Sequence, residues 1–298
     1  MKILVTGSNG QLGKTLLKNN FENFQVIGLD SKQFNLLDAE LCKKKLLEIK
    51  PDWVINTAAY TEVDKAEIET QKAYQTNARA VDLMTEVITS YGGRILQIST
   101  DFVFEGLKSK PYLTIDKCNP INKYGLSKLK GENFALKYPG SIILRTSWLY
   151  GPYGKNFCLK MINLNKQFSK TGKTLSVIND QLGSPTDVLD LSRICWEIIK
   201  NSNVAKVKKR IFHWSNKGTI SWYDFAIKIG EYAEKFGLIE KAALIKPVNS
   251  SEYKTIAKRP KYSVLDCQST EEFLNLQQID WEKSLKRTLL NISERKNY

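Results

Sequence analysis

Short apolar runs alternate with amphipathic stretches through the first half of the chain. The runs at Lys2–Thr6, Gln25–Leu29, Trp53–Asn56, 94–99 and 141–145 predict strands. Helical patterns fill residues 10–19, 39–50, 69–91 and 123–137, the first with Leu12, Leu16 and Leu17 at helical spacing. Pro51 and the pair Gly92-Gly93 stand where two of these helices should stop. Strands that are apolar throughout, each followed by a helix, predict an α/β fold: a doubly wound parallel sheet with helices on both faces.

After Trp148 the rhythm changes. Gly151-Pro152-Tyr153-Gly154 reads as a loop. A helix over 156–168, a strand at Leu175–Ile178, a helix over 185–200 and a strand over 210–214 follow. Ser221 reads as the N-cap of a helix running to about 236. The pattern predicts a main domain over 1–150 that the chain rejoins at about 185–215. Residues 151–184 and 216–298 then form a smaller, discontinuous C-terminal lobe.

With 298 residues and 42% hydrophobic content, the chain can bury a core without covalent staples. The five cysteines are scattered, with no C-x-x-C, which fits reduced thiols better than a disulfide frame or a zinc site. The single histidine, His213, excludes His-rich metal sites and argues against a Ser-His-Asp triad. The chain runs directly into its first strand and has no apolar run of spanning length, so the expectation is a cytoplasmic protein without a membrane partner. A net charge of +14 raises the question of nucleic acid. The densest basic runs, Lys43-Lys44-Lys45 and residues 206–210, lack interleaved aromatics for base stacking, so no nucleic-acid partner is expected. Such a field suits attraction of an anionic nucleotide.

The candidate chemistry begins at the turn Thr6-Gly7-Ser8-Asn9-Gly10-Gln11-Leu12-Gly13, between the first strand and first helix. Gly7, Gly10 and Gly13 let the backbone turn tightly and approach a pyrophosphate, whose charge the helix N-terminus favours. Asp30 ends the second strand, where an acid can bond the ribose hydroxyls of a dinucleotide. Its charge favours NADH over NADPH, a preference the nearby Lys32 weakens, so both remain open. Asn35-Leu36 stand where the adenine would lie, and Asn56-Thr57-Ala58-Ala59-Tyr60 where the dinucleotide would pass closely over backbone.

Tyr124 and Lys128 lie one helical turn apart, downstream of the strand ending Ser99-Thr100-Asp101. Reducing a ketone places negative charge on its oxygen, and a proton must arrive there. A phenol is protonated at neutral pH, and a neighbouring ammonium would lower its pKa and ease proton release. Thr100 would hydrogen-bond the same oxygen. This set predicts transfer of a hydride to or from a carbonyl.

The strings TGSNGQLG, VINTAAYTEVDKAE, STDFVFEG, YGLSK, LRTSWLYGPYGKNF, DQLGSPT and RPKYSVLD together resemble the dTDP-4-dehydrorhamnose reductases, extended members of the short-chain dehydrogenase/reductase superfamily. The resemblance runs from Met1 to about Thr288. It implies a Rossmann-type fold and reduction of a dTDP-4-keto-6-deoxy sugar by NADPH or NADH. It implies Tyr124 as proton donor, Lys128 as its partner and ribose ligand, and Thr100 as the third catalytic member. Gly10, Gln11 and Leu12 would meet the cofactor pyrophosphate and Asp30 the adenosine ribose; Asn35, Leu36, Ala58, Ala59, Tyr60 and Ile98 would line the rest. Thr100, Asp101 and Trp148 would contact the sugar, and Lys155, Asn156 and Arg259 the nucleotide or diphosphate. Asn77 is a candidate for the proton-relay asparagine of relatives, or a structural cap. Asp30-Ser31 stands where Gly-Arg is common, and Phe102 where Tyr is. Some members form dimers through a magnesium ion, so monomer and homodimer are both open, with no metal ligand placed here. The alternatives are another 4-keto-sugar nucleotide reductase, an epimerase or dehydratase, or a regulatory subunit such as that of methionine adenosyltransferase, which resembles the same family.

Overall fold

The computed structural model describes residues 1–20, 22, 24–204 and 209–294; of the expected basic run, residues 206–208 lie outside these. The first half forms β1 (Lys2–Thr6), α1 (Gln11–Lys18), β2 (Gln25–Leu29), α2 (Ala39–Ile49), β3 (Trp53–Asn56), α3 (Val63–Ala66), α4 (Thr70–Tyr74), α5 (Ala80–Thr89), β4 (Arg94–Thr100), α6 (Lys123–Ala135) and β5 (Ser141–Thr146). There follow β6 (Leu149–Tyr150), α7 (Phe157–Thr171), β7 (Leu175–Ile178), β8 (Leu182–Gly183), β9 (Thr186–Asp187), α8 (Val188–Val204) and β10 (Ile211–His213). The chain closes with β11 (Ile220–Ser221), α9 (Trp222–Lys235), β12 (Ile245–Val248), α10 (Gln268–Leu274) and α11 (Trp281–Glu294).

A six-stranded sheet runs in the order β10-β5-β4-β3-β1-β2, every pair parallel. Its strands look uniformly apolar because both faces are covered. Ile3, Val5, Ile55, Leu96 and Leu144 point to one core with α1 and α8. Leu4, Val54, Ile95 and Ile143, one residue out of phase, point to another with α2 and α5. The chain steps from β1 to β2 on one side and then to β3 on the other, so the crevice between β1 and β3 is the switch point where such sheets bind ligands.

The helix of the return at 185–215 begins and ends later than expected. Residues 185–187 do not start α8; Thr186–Asp187 instead pairs in parallel with Leu149–Tyr150, and Asp187 accepts the Leu189 N–H as the helix begins. The chain also meets the sheet a second time, because Leu265, Cys267 and Leu274 pack into the α1/α8 core. The lobe has its own core, in which Met161 and Ile162 of α7, Phe225 and Ile229 of α9, and Leu285 and Leu289 of α11 meet.

The helix expected over 69–91 is divided. Between α4 and α5, residues Gln75–Arg79 form a π-helical turn. The wider turn lets the Asn77 carbonyl face Gly131 of α6, where a Cβ would come within 2.1 Å. Among the described residues no helix is long and apolar enough to cross a membrane.

Candidate active site

A cleft of about 680 Å³ opens over the C-terminal ends of β1, β3, β4 and β5. Its floor at β1 is the glycine turn. Gly7 has φ 64, and a Cβ there would lie 2.9 Å from the Ala58 backbone. A Cβ on Gly13 would lie 2.4 Å from the Gly7 carbonyl, so Gly13 serves close packing of α1 on the turn. Gly10 caps α1 without a side-chain hydrogen bond, which leaves first-turn N–H groups directed at the cleft. These features fit a dinucleotide's pyrophosphate.

Gly7, Gly10, Gln11, Leu12, Ala58, Ala59, Ile98, Thr100, Asp101, Tyr124, Lys128, Trp148 and Lys155 all line this cleft. Asp30 stands beside it with its carboxylate engaged: Asn9, itself a lining residue, donates to it at 2.6 Å, and the Lys32 and Gln33 N–H groups donate to its other oxygen. Asn35 and Leu36 are not among the lining residues. Asn35 accepts the Leu37 N–H in a turn, and Leu36 packs against the α2/α5 core. Tyr60 also lies off the lining, its backbone held at both N–H and C=O by the Asn77 side chain. Asn77 also donates to Ser127 Oγ at 2.9 Å and so ties the loop at Tyr60 to α6. Asn156, expected at the nucleotide or diphosphate, does not line the cleft and caps α7. Its Oδ1 accepts the Leu159 N–H, and its Nδ2 is spent on Gln11, Gly151 and Tyr153.

Tyr124 and Lys128 are seated by the start of α6. Asn122 caps the helix by accepting the Gly125 N–H at 2.7 Å. Gly125 lets the helix approach the carbonyl of Phe102, where a Cβ would come within 2.1 Å. The Phe102 ring meets Tyr124 edge-on, 5.8 Å between centroids. Thr100 donates to Asp101 at 3.0 Å and accepts the Phe102 N–H. Lys128 donates to the Ile98 carbonyl at 2.7 Å.

The electrostatics differ from the expectation for Tyr124. Burial pushes the phenol up to about 12; hydrogen bonding with Thr100 opposes this, and the Asp101 charge adds to it. Lys128 does not pull it down here. Burial lowers Lys128 itself to about 8, against support from Glu132 one turn along the helix. Burial raises the Asp101 carboxyl to about 6, against hydrogen bonding with Ser263 and Thr100. Tyr124 is therefore a proton donor rather than a phenolate at neutral pH, and Lys128 is cationic below about pH 8. If that cation is needed, kcat/KM for a ketone substrate will be level at neutral pH and fall about tenfold per pH unit above about 8. A profile level to pH 10 would remove the Lys128 charge from the rate.

Behind Lys128, Glu132 accepts from Ser99 at 2.5 Å and from Arg145 at 2.7 Å, with both charged side chains buried. Arg145 also meets His213 Nε2 at 3.3 Å, and His213 Nδ1 lies 3.0 Å from the Tyr112 carbonyl. Burial first, then Arg145, hold His213 down to about 3, so it is a neutral structural residue.

Trp148 has φ 45, a left-handed conformation, and stacks on Trp222 of the lobe at 3.5 Å between ring centroids. Gly183 leaves room for it, since a Cβ there would come within 2.5 Å of the indole. Trp148 walls both the cleft and a second cavity of about 250 Å³, which Arg259 also lines. Arg259 is anchored by Asp64 of α3 at 2.7 Å, and burial of Asp64 is outweighed by Arg259, which holds the carboxyl below its ordinary value.

Thr57, in the stretch expected to pass under the dinucleotide, also lines the cleft, and sequence reasoning missed Thr61, Glu62, Thr146 and Ser147, which line it too. Their signal was positional: Thr57 and Ser147 follow the C-terminal ends of β3 and β5, where parallel sheets hold ligands. Among the described residues no group of three or more His, Cys, Asp or Glu side chains could hold a metal ion, and the magnesium expectation gains no support.

Residues 1–294 match the family described as RmlD substrate binding domain. A curated dTDP-4-dehydrorhamnose reductase of Aggregatibacter actinomycetemcomitans is 37% identical over 289 residues, 96% of this chain and 97% of that protein. The crystal structure of a dTDP-4-dehydrorhamnose reductase from Clostridium acetobutylicum aligns with TM-score 0.87 and 39% identity, covering 97% of this chain and 98% of that one. That of a Bacillus anthracis reductase in complex with NADP aligns with TM-score 0.86 and 35% identity, covering 97% and 99%.

Proposed function

The chain belongs to the RmlD substrate binding domain family, and we infer from this membership and from the cleft that it carries out the dTDP-4-dehydrorhamnose reductase reaction. It is an NAD(P)H-dependent oxidoreductase of sugar nucleotides that reduces the C4 ketone of dTDP-4-dehydro-L-rhamnose to dTDP-L-rhamnose. The observation that carries this reading is the meeting of Thr100, Tyr124 and Lys128 in one cleft with the open N-terminus of α1.

Gly7, Gly10, Gln11, Leu12, Ala58, Ala59 and Ile98 hold the dinucleotide in this reading, with Asp30 reaching the adenosine ribose from the cleft edge. The reduced nicotinamide, when bound, supplies the hydride. As charge develops on the C4 oxygen, Tyr124 gives it a proton, and the Thr100 hydroxyl turns from Asp101 to donate a hydrogen bond to it. Lys128 holds the nicotinamide ribose, and solvent returns a proton to the phenolate left behind. Asp101 and Trp148 position the sugar; Lys155 and Arg259 face the diphosphate. Because the Asp30 carboxylate already accepts from Asn9 and two backbone N–H groups, its repulsion of a 2′-phosphate is weakened, and both NADPH and NADH serve. Residues 1–150 and 185–215 make the cofactor domain, and 151–184 and 216–298 the substrate lobe.

The test is loss of reduced-nicotinamide absorbance when purified protein meets dTDP-4-dehydro-L-rhamnose, run in parallel with NADPH and NADH. Turnover with formation of dTDP-L-rhamnose is expected with both. Product formed without net cofactor consumption would point to an epimerase. No turnover with any 4-keto sugar nucleotide would point to a regulatory subunit.

A further inference from the structure

The cavity behind Trp148 is walled by aromatic rings: Trp148 and Phe102 on the catalytic side, Phe157, Trp222 and Tyr253 in the lobe. Its polar lining includes Arg259 and Lys160. One lining residue offers the cavity a side chain with no partner in the protein. Gln181 is 6% exposed as a whole, and among the described residues its carboxamide makes no hydrogen bond to the protein, its polar atoms remaining open to the cavity.

The backbone around Gln181 is fixed on both sides. Asp180 accepts from the N–H and the hydroxyl of Ser250, at 2.8 and 2.7 Å. Leu182 donates to the Lys261 carbonyl at 2.7 Å and accepts the Ser263 N–H at 2.9 Å. Gly183 is then pinned beneath the Trp148 indole. With the backbone fixed on both sides, the Gln181 side chain is rooted at one place in the aromatic cavity, with its carboxamide available to a ligand.

A carboxamide offers one acceptor and one donor in a plane. The imide edge of thymine or uracil offers the complement, an N3–H beside a ring carbonyl, and the flat ring suits aromatic walls. A sugar seated at Tyr124 against Trp148 places its nucleotide in the next space along, which is this cavity. We propose that Gln181 reads the imide edge of the substrate's pyrimidine and is a specificity-determining residue for the nucleotide. The proposal rests on the sugar-nucleotide reading above and adds the residue that recognises the base.

Calorimetric titration tests it with dTDP and its N3-methyl derivative, against the full chain and the Gln181→Leu variant. Dissociation constants for NADPH, measured alongside, report folding. Gln181→Leu should weaken dTDP at least about tenfold while NADPH binding holds, as expected when a buried polar partner is lost. N3-methylation should weaken binding to the unaltered chain by a similar factor, and the variant should not distinguish the two ligands. Equal dTDP affinity in the variant overturns the proposal, as does indifference of the unaltered chain to the N3-methyl group. If the variant also loses NADPH, the comparison of the two ligands on the unaltered chain decides alone. Failure of the unaltered chain to bind dTDP at all overturns the substrate reading itself.

Discussion

Tyr124→Phe should lower kcat by about 10²–10⁴-fold, the range a positioned proton donor supplies. The substitution removes one oxygen and leaves the ring, so the edge-on contact with Phe102 persists and α6 keeps its seat against the Phe102 carbonyl. Lys128 keeps its bond to Ile98, which does not involve the phenol. Cofactor affinity should therefore change little, and the loss should fall on kcat with a smaller effect on KM. Thr100 remains as a donor to the ketone oxygen but brings no group able to release a proton so readily. Steady-state kinetics with the sugar nucleotide, together with a binding titration of NADPH, separate the two effects. A variant with kcat within threefold of the unaltered chain would transfer proton donation to another group.

Glu132→Ala should cost about 3–5 kcal/mol of stability, the usual effect of stranding one member of a buried ion pair. Arg145 would lose the carboxylate that takes its Nε and Nη2, and Ser99 would lose its acceptor. The guanidinium would be left facing a neutral imidazole and the Cys118 thiol. Thermal and denaturant unfolding read the cost directly. Replacing both partners, as in Glu132→Leu with Arg145→Met, should recover much of it, because an apolar pair bears no desolvation penalty. The same carboxylate supports the Lys128 charge. Its removal should also move the alkaline limb of the pH profile below about 8, a change that lost stability alone would not produce. A stability loss under about 1 kcal/mol in Glu132→Ala would contradict the weight given to this network.

The sheet was legible because its signal is local. Lys2–Thr6, Gln25–Leu29 and Trp53–Asn56 are short apolar runs bounded by breakers, and they fold as read. Tyr124, Lys128 and Thr100 were legible for a related reason, since one helical turn and one strand end bring them together. What could not be read were arrangements set by distant contacts. The π turn at Gln75–Arg79 answers to Gly131, more than fifty residues away, and nothing in its own sequence requires it. Asn156 carries the same side chain whether it binds a ligand or caps a helix; only the carbonyls of Gly151 and Tyr153 decide. Trp281, Leu285 and Leu289 of α11 do show helical spacing, but charged neighbours surround them and the lobe core that buries them is assembled from three separate segments. The inner cavity escaped notice because its wall combines residues 102, 148, 157, 181, 222 and 259.

Gly125 and Gly131 hold α6 at two points, each against a backbone carbonyl of another segment. No amino acid other than glycine fits at either point without moving a main chain, so the helix bearing Tyr124 and Lys128 has almost no lateral play. Variation in this helix is thereby channelled outward. Lys123, Leu126, Lys130 and Asn133 are exposed and free to drift, while 125, 127, 128, 131 and 132 are locked. An engineer seeking a new substrate would leave α6 untouched and mutate the wall opposite it.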